Sequence, residues 1–576
     1  VAGIRRRGDE NHAVKREVLA ACGLLALCGA LFFVGLGDLP LFDVDEAVFA
    51  ETTREMIETG DWITPRYNGA DRFDKPVLFY WLMAGAFTVF GVGEWSARFW
   101  SAALGMGLVA VLALFARSRL GSRAGLLSGL VAATSIEVIV LAHSAITDMT
   151  LIFFITGGLL AGYTAVQADD AVKRTRWAVL GAASLGLAVL TKGPVGIVIP
   201  GLIVVLFLAV RGGAWGTLSR LPWWRMAAVF LVIVAPWYLL ELQARGWAFV
   251  EGFFLKHNVR RFTGVISGHA GPFYYYVPVV AVGFFPWTAL LMPAMRWAWP
   301  SGWRGLRRPT DREALGLFLL IWVGTVFVFF SLAGTKLPNY VAALFPPLAL
   351  LVGAWADRFV ARAAGSDRWV TAGIGVSVVV AVALAVALGG LPWWVEWARI
   401  RFPKAAYLYQ PIDVGSGPAW LAVAAVGGAL AIAGLMATGR RAAALAGIAL
   451  TTAAMTVLLV TRVAPVAADV MQIPLRDLAI RAGRDAGADG AVAVYGLNKP
   501  SVVFYARRLV TVVGESRPEE LAALLAQDRV WYVITKAAWM DRLGRIASLH
   551  TLDARGGYVL ASNRPPATRD VDSAVR

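Results

Sequence analysis

The chain has 576 residues, 58% of them hydrophobic and 16% charged, with a mean hydropathy of +0.64. Soluble globular domains carry about 25% charged residues, so this composition excludes a soluble enzyme and points to a membrane protein. The net charge of +16 does not imply nucleic acid, because the basic residues fall mostly in short loops between apolar stretches.

The first apolar stretch, 18–36, follows Arg5, Arg6, Arg7, Lys15 and Arg16. It is longer than a signal-peptide core and leads into Asp38, Leu39 and Pro40 instead of a small-residue cleavage site, so an uncleaved anchor is expected. Cys22 and Cys28 both lie within it, which leaves no disulfide framework. Further spans are expected at 97–117, 123–142, 149–167, 177–191, 194–210, 225–242, 273–295, 314–332, 339–356, 369–389, 417–437 and 442–462. Each is near the ~20 residues that a bilayer requires.

With the amino end inside, the loops holding Arg117/Arg119/Arg123, Lys173/Arg174/Arg176, Arg211/Arg220/Arg225, Arg304/Arg307/Arg308/Arg312, Arg358/Arg362/Arg368 and Arg440/Arg441 all fall on the cytoplasmic side. The alternation holds only if the proline-led run 76–90 lies along the outer leaflet without spanning. Residues 1–464 then form a transmembrane domain of about 13 helices, the number at which every inside loop is basic. Its first outside loop, 37–96, carries interfacial helices, and its second large outside loop is 243–272. The segment 390–415 adds Trp393, Trp394, Trp397 and Tyr407, which suit an aromatic belt.

Beyond 465 the composition shifts. Residues 491–495 and 530–534 read as strands, and 518–527 reads as a helix between them. The expected fold is thus an all-α polytopic membrane protein with a small soluble α/β domain at 465–576, whose last residues, 565–576, read as disordered. No Walker-type glycine loop occurs, which argues against an ATP-driven pump.

Two acidic sites, whose Asp45, Glu46 and Asp148 are the candidate catalytic residues, stand at the expected outer surface. Asp45 and Glu46 follow the first span in Asp43-Val44-Asp45-Glu46, and Asp148 opens the span after Thr147. Carboxylates at a helix start also serve as caps, and Asp43 is available for that duty. The cations Lys75, Arg260, Lys192 and Lys336 are expected on the same side, where the charge bias disfavours them. As a set they suit a phosphate, to which Lys and Arg give charge-assisted donors. Arg66 and Tyr67, with Tyr80, Tyr340 and the run Tyr274-Tyr275-Tyr276, are candidate contacts to phosphate or sugar. His257 and His269 are candidates for a divalent metal, although their spacing matches no metal motif.

Taken together, Asp43-Val44-Asp45-Glu46, Gly60-Asp61-Trp62, Asn68-Gly69 and Phe73-Asp74-Lys75-Pro76 resemble the first outside loop of C-type membrane glycosyltransferases. Thr147-Asp148-Met149, Thr191-Lys192-Gly193-Pro194, His257-Asn258-Val259-Arg260-Arg261-Phe262, Gly271-Pro272-Phe273 and Thr335-Lys336-Leu337-Pro338-Asn339-Tyr340 extend the likeness over about residues 40–360. Within that superfamily the chain resembles the lipid A aminoarabinose transferases and protein O-mannosyltransferases, and the His-Asn and Lys-Leu-Pro motifs favour the former.

The resemblance implies a multi-pass enzyme of the bacterial inner membrane, with its C-terminal domain in the periplasm. It would move 4-amino-4-deoxy-L-arabinose from undecaprenyl phosphate to phosphates of lipid A in lipopolysaccharide, giving polymyxin resistance. By the same resemblance Asp45 is the key acid, Asp148 a second acidic site, and Lys75 and Arg260 hold the donor phosphate. Direct displacement by an acceptor phosphate would invert the linkage. No cofactor is required, and a zinc or magnesium ion near the acidic site stays open. A protein or glycan acceptor is the alternative. A lipid or ion transporter is the reading from another class, and it is disfavoured because the candidate charges gather at one surface and no repeat is present.

Overall fold

In the computed structural model, the described residues are 2–260, 264, 270–302, 306, 309–361, 368–401 and 412–565. Helices dominate. Eight are long and apolar enough to cross a membrane, or up to eleven if each of three bent helix pairs is one span. The bent pairs are Ser122–Ala133 with Ile136–Ala142, Tyr276–Gly283 with Trp287–Ala298, and Val378–Gly389 with Trp393–Arg401. The stretches expected at 177–191 and 194–210 are the helices Ala171–Lys192 and Val195–Arg211. Buried aromatic side chains, among them Trp287, Trp322, Phe318 and Phe345, fill the centre of the bundle.

The run expected to lie flat is the helix Leu78–Phe90, whose 13 residues reach about 20 Å, short of the ~30 Å hydrocarbon core. It packs against helix Asp45–Thr59. Phe49 contacts Phe79 and Tyr80 at ring-centroid distances of 5.4 and 5.5 Å. Between these helices Arg66–Tyr67 and Ala70–Asp71 form a small antiparallel hairpin. Its turn is Asn68-Gly69, both at positive φ, the residue pair that a two-residue hairpin favours. Glu55 fixes this turn to the helix by accepting from the backbone N–H groups of Asn68 and Gly69.

The last membrane helix outruns the boundary expected at 465: the helical run continues to Met471. Pro465 does not stop it: it falls where the π-helical turn Leu459–Val463 passes into helix Ala464–Met471. The domain that follows carries a five-stranded sheet in the order Val510–Val513, Ala491–Tyr495, Trp531–Lys536, Tyr558–Ser562, His550–Arg555. The first three strands are parallel and the last two pair antiparallel. Strands 510–513, 550–555 and 558–562 go beyond the sequence expectation. Helix Pro518–Leu525 lies where a helix was expected, and 566–576 lie outside the described residues, as does Tyr407.

This domain sits on the first loop. Asp43 accepts from the backbone N–H and the hydroxyl of Ser501, each at 2.8 Å. The side-chain amide of Asn68 brackets Val510, donating to its carbonyl at 2.8 Å and accepting from its N–H at 2.9 Å. The Tyr505 hydroxyl accepts from Leu41 N–H at 2.8 Å and donates to Glu94 at 2.9 Å. Phe504 joins the apolar cluster of Leu41, Phe49, Tyr80 and Trp237, so loop and domain share a core.

Candidate active site

Adjacent residues on a helix point about 100° apart, and this separates the acidic couplet. Helix Asp45–Thr59 starts with both carboxylates in its first turn, where the free N–H groups favour them, and stops at Gly60 in the left-handed conformation. No side chain caps its start, so Asp43 is spent on the C-terminal domain and not on the helix.

Glu46 turns inward. Its carboxylate takes Arg98 Nη2 at 2.7 Å, Arg98 Nε at 2.9 Å, and the N–H groups of Ala145 and Phe42 at 2.7 and 2.8 Å. Arg98 in turn donates to the carbonyls of Leu36, Leu39 and Pro40. Burial opposes ionisation of Glu46, but Arg98 and the two N–H donors outweigh it and hold the carboxyl below its usual range. The expectation that Glu46 is catalytic is therefore corrected: every lone pair is committed to closing the loop, and the side chain does not line the cavity described next.

Asp45 turns outward, onto a cavity of about 480 Å³. Among the described residues it makes no hydrogen bond or ion pair. Arg72, Asp74, Lys75, Asp148, Lys192, His257, Asn339 and Tyr340 share the same walls. The rest of the lining is apolar, including Leu151, Ile152, Ile155, Val195, Val198, Ile199, Phe329 and Phe330. One end of the space is charged and the other greasy.

Two ion-paired groups build the charged end. Asp148, in the first turn of helix Thr147–Val166, is buried. It accepts from Lys192 Nζ at 2.6 Å and from Asn339 Nδ2 at 2.9 Å. Lys192 closes helix Ala171–Lys192, where a cation suits the helix dipole, and it lies 5.6 Å from the centre of the Tyr340 ring. The chain turns at Gly193 with φ 79, and a β-carbon there would meet Phe253 at 2.5 Å, so only glycine fits. The second group is Asp74, which takes His257 Nε2 at 2.8 Å and Arg72 Nη2 at 2.6 Å. Burial opposes its ionisation too, but His257, Arg72 and Lys75 hold the carboxyl well below the usual range. Lys75 Nζ lies 3.1 Å from the Asp74 carbonyl oxygen and also lines the cavity.

Thus Asp45, Lys75, Asp148, Lys192, Tyr340 and His257 of the expected set meet in one place. Others do not. Lys336 is buried and donates to the carbonyls of Ser331 and Ala333, at 2.9 and 2.6 Å. Those carbonyls lie at the end of helix Asp311–Leu332 and lack intrahelical donors, so the ammonium caps the preceding helix instead of lining the cavity. Arg66 pairs with Asp61 and Asp71 on the hairpin, and Tyr67 packs against the C-terminal domain. Tyr80 is fully buried in the loop's core. Arg260 is exposed and outside the cavity lining, while Arg261 and His269 lie outside the described residues. Arg72, Asp74 and Asn339 are cavity residues that were not singled out in the sequence, although Asp74 adjoins Lys75 and Asn339 adjoins Tyr340.

Among the described residues no three His, Cys, Asp or Glu side chains gather as a metal-ligand set. The imidazole of His257 is engaged by Asp74. What the arrangement offers chemically is three cations in one cavity, Lys75, Lys192 and Arg72, with Tyr340 and the Asp45 carboxylate, next to an apolar slot suited to a lipid chain.

Comparison with known proteins points the same way. Residues 74–239 match the family described as dolichyl-phosphate-mannose-protein mannosyltransferase. The undecaprenyl phosphate-alpha-4-amino-4-deoxy-L-arabinose arabinosyl transferase 1 of Sodalis glossinidius is 31% identical over 394 residues, covering 66% of this chain and 68% of that one. The arabinosyl transferase of the same description from Pectobacterium carotovorum is 32% identical over 419 residues, covering 70% of each. The crystal structure of ArnT from Cupriavidus metallidurans bound to undecaprenyl phosphate aligns with a TM-score of 0.76 at 26% identity, covering 95% of this chain and 98% of that one. The archaeal oligosaccharyltransferase AglB of Archaeoglobus fulgidus shares the fold, with a TM-score of 0.51 at 14% identity over 91% of this chain and 69% of that one.

Proposed function

The chain belongs to the undecaprenyl phosphate-alpha-4-amino-4-deoxy-L-arabinose arabinosyl transferase family, and from that premise we propose that it moves this sugar from undecaprenyl phosphate to phosphate groups of lipid A. It is a membrane glycosyltransferase using a polyprenyl-phosphate sugar donor. The observation that carries the reading is the two-sided cavity: Asp45, Lys75 and the Asp148–Lys192 pair at one end, an apolar slot at the other. A lipid-linked donor reaches such a site sideways through the membrane, so no nucleotide pocket is needed.

In the proposed step an acceptor phosphate oxygen attacks the anomeric carbon of the sugar. The new carbon–oxygen bond forms as the bond to undecaprenyl phosphate breaks, and the bonding pair leaves with the polyprenyl phosphate, inverting the linkage. Lys75 and Lys192, with Arg72 and the Tyr340 hydroxyl, stabilise the charge that develops on the leaving phosphate. A phosphate acceptor is ionised near neutral pH and needs no general base. That leaves Asp45 to meet the donor's ammonium group or the positive charge at the anomeric centre. Asn339 positions Asp148.

The finer topology follows from the charge map: 13 spans, the amino end in the cytoplasm, and the C-terminal domain in the periplasm of a bacterial inner-membrane protein. The supporting feature is that each loop assigned to the cytoplasm is basic. The chemistry is tested by incubating the reconstituted protein with undecaprenyl-phosphate aminoarabinose and lipid A, and weighing the products by mass spectrometry. Lipid A heavier by one aminoarabinose is the expected result, and no lipid A product with an intact donor would sink the reading. The match of residues 74–239 to the protein mannosyltransferase family favours a protein acceptor as second reading; sugar appearing on co-purified protein while lipid A stays unmodified would establish it.

A further inference from the structure

A second concavity, of about 510 Å³, opens where the C-terminal domain meets the start of helix Glu94–Leu120. Its described lining carries four arginines, Arg476, Arg484, Arg507 and Arg508, against one carboxylate, Glu94. That carboxylate is already engaged by the Tyr505 hydroxyl. Arg476 is paired with Asp477 at 3.0 Å, and Arg508 is tied to the carbonyls of Gly490 and Gly487. The guanidinium groups of Arg484 and Arg507 have no ion pair or hydrogen bond among the described residues. The hollow thus carries a net positive charge, and its two uncommitted guanidinium groups are charge-assisted donors for an anion.

The backbone adds to the case. Arg507 closes helix Pro500–Ala506 in the left-handed conformation, with φ 52. Glycine or asparagine takes that cap position more easily. An arginine there puts charge at the hollow against the local conformational preference.

The surroundings say which kind of anion. Glu94 starts a helix long and apolar enough to span the membrane, so the hollow lies at headgroup level. It is on the face that carries the candidate active site, because Asp43 and Tyr505 tie the domain to the segment leading into Asp45. Apolar side chains stand open beside it. Ile480 in the lining is 42% exposed, and Phe90 and Val89, at the end of the interfacial helix, are 52% and 72% exposed. Guanidinium groups next to exposed apolar surface at a membrane boundary match both halves of a phospholipid.

We propose that this cleft binds the phosphate of an anionic glycerophospholipid from the surrounding bilayer, fastening the C-terminal domain to the headgroups beside the active site. The site does not depend on the sugar-transfer reading, and binding is measured without transfer, so failure of either leaves the other standing.

The test uses the full chain in nanodiscs made from equal parts phosphatidylglycerol and phosphatidylethanolamine, with lipid retained after detergent extraction read by native mass spectrometry. The unaltered protein retains phosphatidylglycerol over phosphatidylethanolamine. The variant Arg484→Gln/Arg507→Gln retains at least about tenfold less phosphatidylglycerol, as expected when charge-assisted hydrogen bonds are lost. Arg517→Gln, which removes an exposed arginine of the same domain paired with Glu520, retains as much as the unaltered protein. Soluble glycerol 3-phosphate at the lipid's concentration does not compete. If the double variant fails to fold, Arg484→Gln alone carries the comparison, with a drop of about threefold or more. Equal retention by variant and parent overturns the proposal, as does equal retention of the two lipids. Displacement by glycerol 3-phosphate would assign the cleft to a soluble phosphate ester and overturn the lipid reading.

Discussion

Lys192 Nζ lies 2.6 Å from Asp148 Oδ1, the last residue of one helix meeting the first turn of another across the cavity wall. The pair is largely screened from solvent, with side-chain exposures of 15% and 6%. Removing one partner of such a pair strands the other charge, at a cost of about 3 kcal/mol. Lys192→Met is therefore expected to lower the melting temperature in detergent, and Lys192→Met/Asp148→Asn to recover most of the loss while staying inactive. A double variant no more stable than Lys192→Met would show that the two do not act as a pair.

The neighbours Asp45 and Glu46 should behave in opposite ways. Asp45 makes no hydrogen bond or ion pair among the described residues and adds only its first-turn interaction with the helix dipole, so Asp45→Ala is expected to melt within about 1 kcal/mol of the parent. Its transfer rate should fall by about 100-fold or more, the scale set by loss of an electrostatic catalytic group. Glu46→Ala leaves Arg98 buried and uncompensated, a loss of about 3–5 kcal/mol. Near-parent activity in Asp45→Ala would refute its place in the mechanism.

Acid should weaken the Glu46–Arg98 clamp. The folded protein holds the Glu46 carboxyl below its usual range, because Arg98 and two N–H donors outweigh the effect of burial. A carboxylate depressed on folding adds stability that is complete above its unfolded pKa of about 4.3, and is lost as pH falls through the lower folded value. The gap in melting temperature between the parent and Glu46→Gln should then stay constant from about pH 8 to about pH 5 and narrow below about pH 4. A gap that narrows on the alkaline side would contradict the assignment.

Lys75 and Lys336 look alike in sequence and differ in place. Lys75→Ala is expected to raise the KM for the lipid-linked donor, since Lys75 lines the cavity. Lys336→Met should leave KM unchanged but cost about 1–3 kcal/mol, because it leaves buried carbonyls without a donor. Steady-state kinetics beside thermal melting separates the two outcomes, and a donor KM effect in Lys336→Met would place that lysine in the site.

The proposed displacement draws its electrostatics from protein side chains. Dialysis against a chelator is expected to leave the transfer rate unchanged. A rate that falls on chelation and returns with zinc or magnesium would put a cation at the acidic end, with His257 and Asp74 the side chains to alter next.

Much of this protein was legible in its sequence, because a bilayer makes strong local demands. Apolar length marked the helices, the proline-led run 76–90 proved to be the short helix Leu78–Phe90, and strands 491–495 and 531–536 of the sheet were visible as β-branched runs. Two candidate acids, Asp45 and Asp148, could be picked out for the same reason: charge beside lipid is costly and needs a cause. What the sequence did not carry was the choice between like residues. Glu46 found Arg98, 52 positions away, and Lys336 found carbonyls at the end of the preceding helix, while Asn339 crossed 191 positions to Asp148. Hydrogen bonds act over about 3 Å and depend on angle, so partners distant in sequence are assigned only when the helices pack. Tertiary structure alone therefore decided which charges are bound up in holding the fold and which line the cavity.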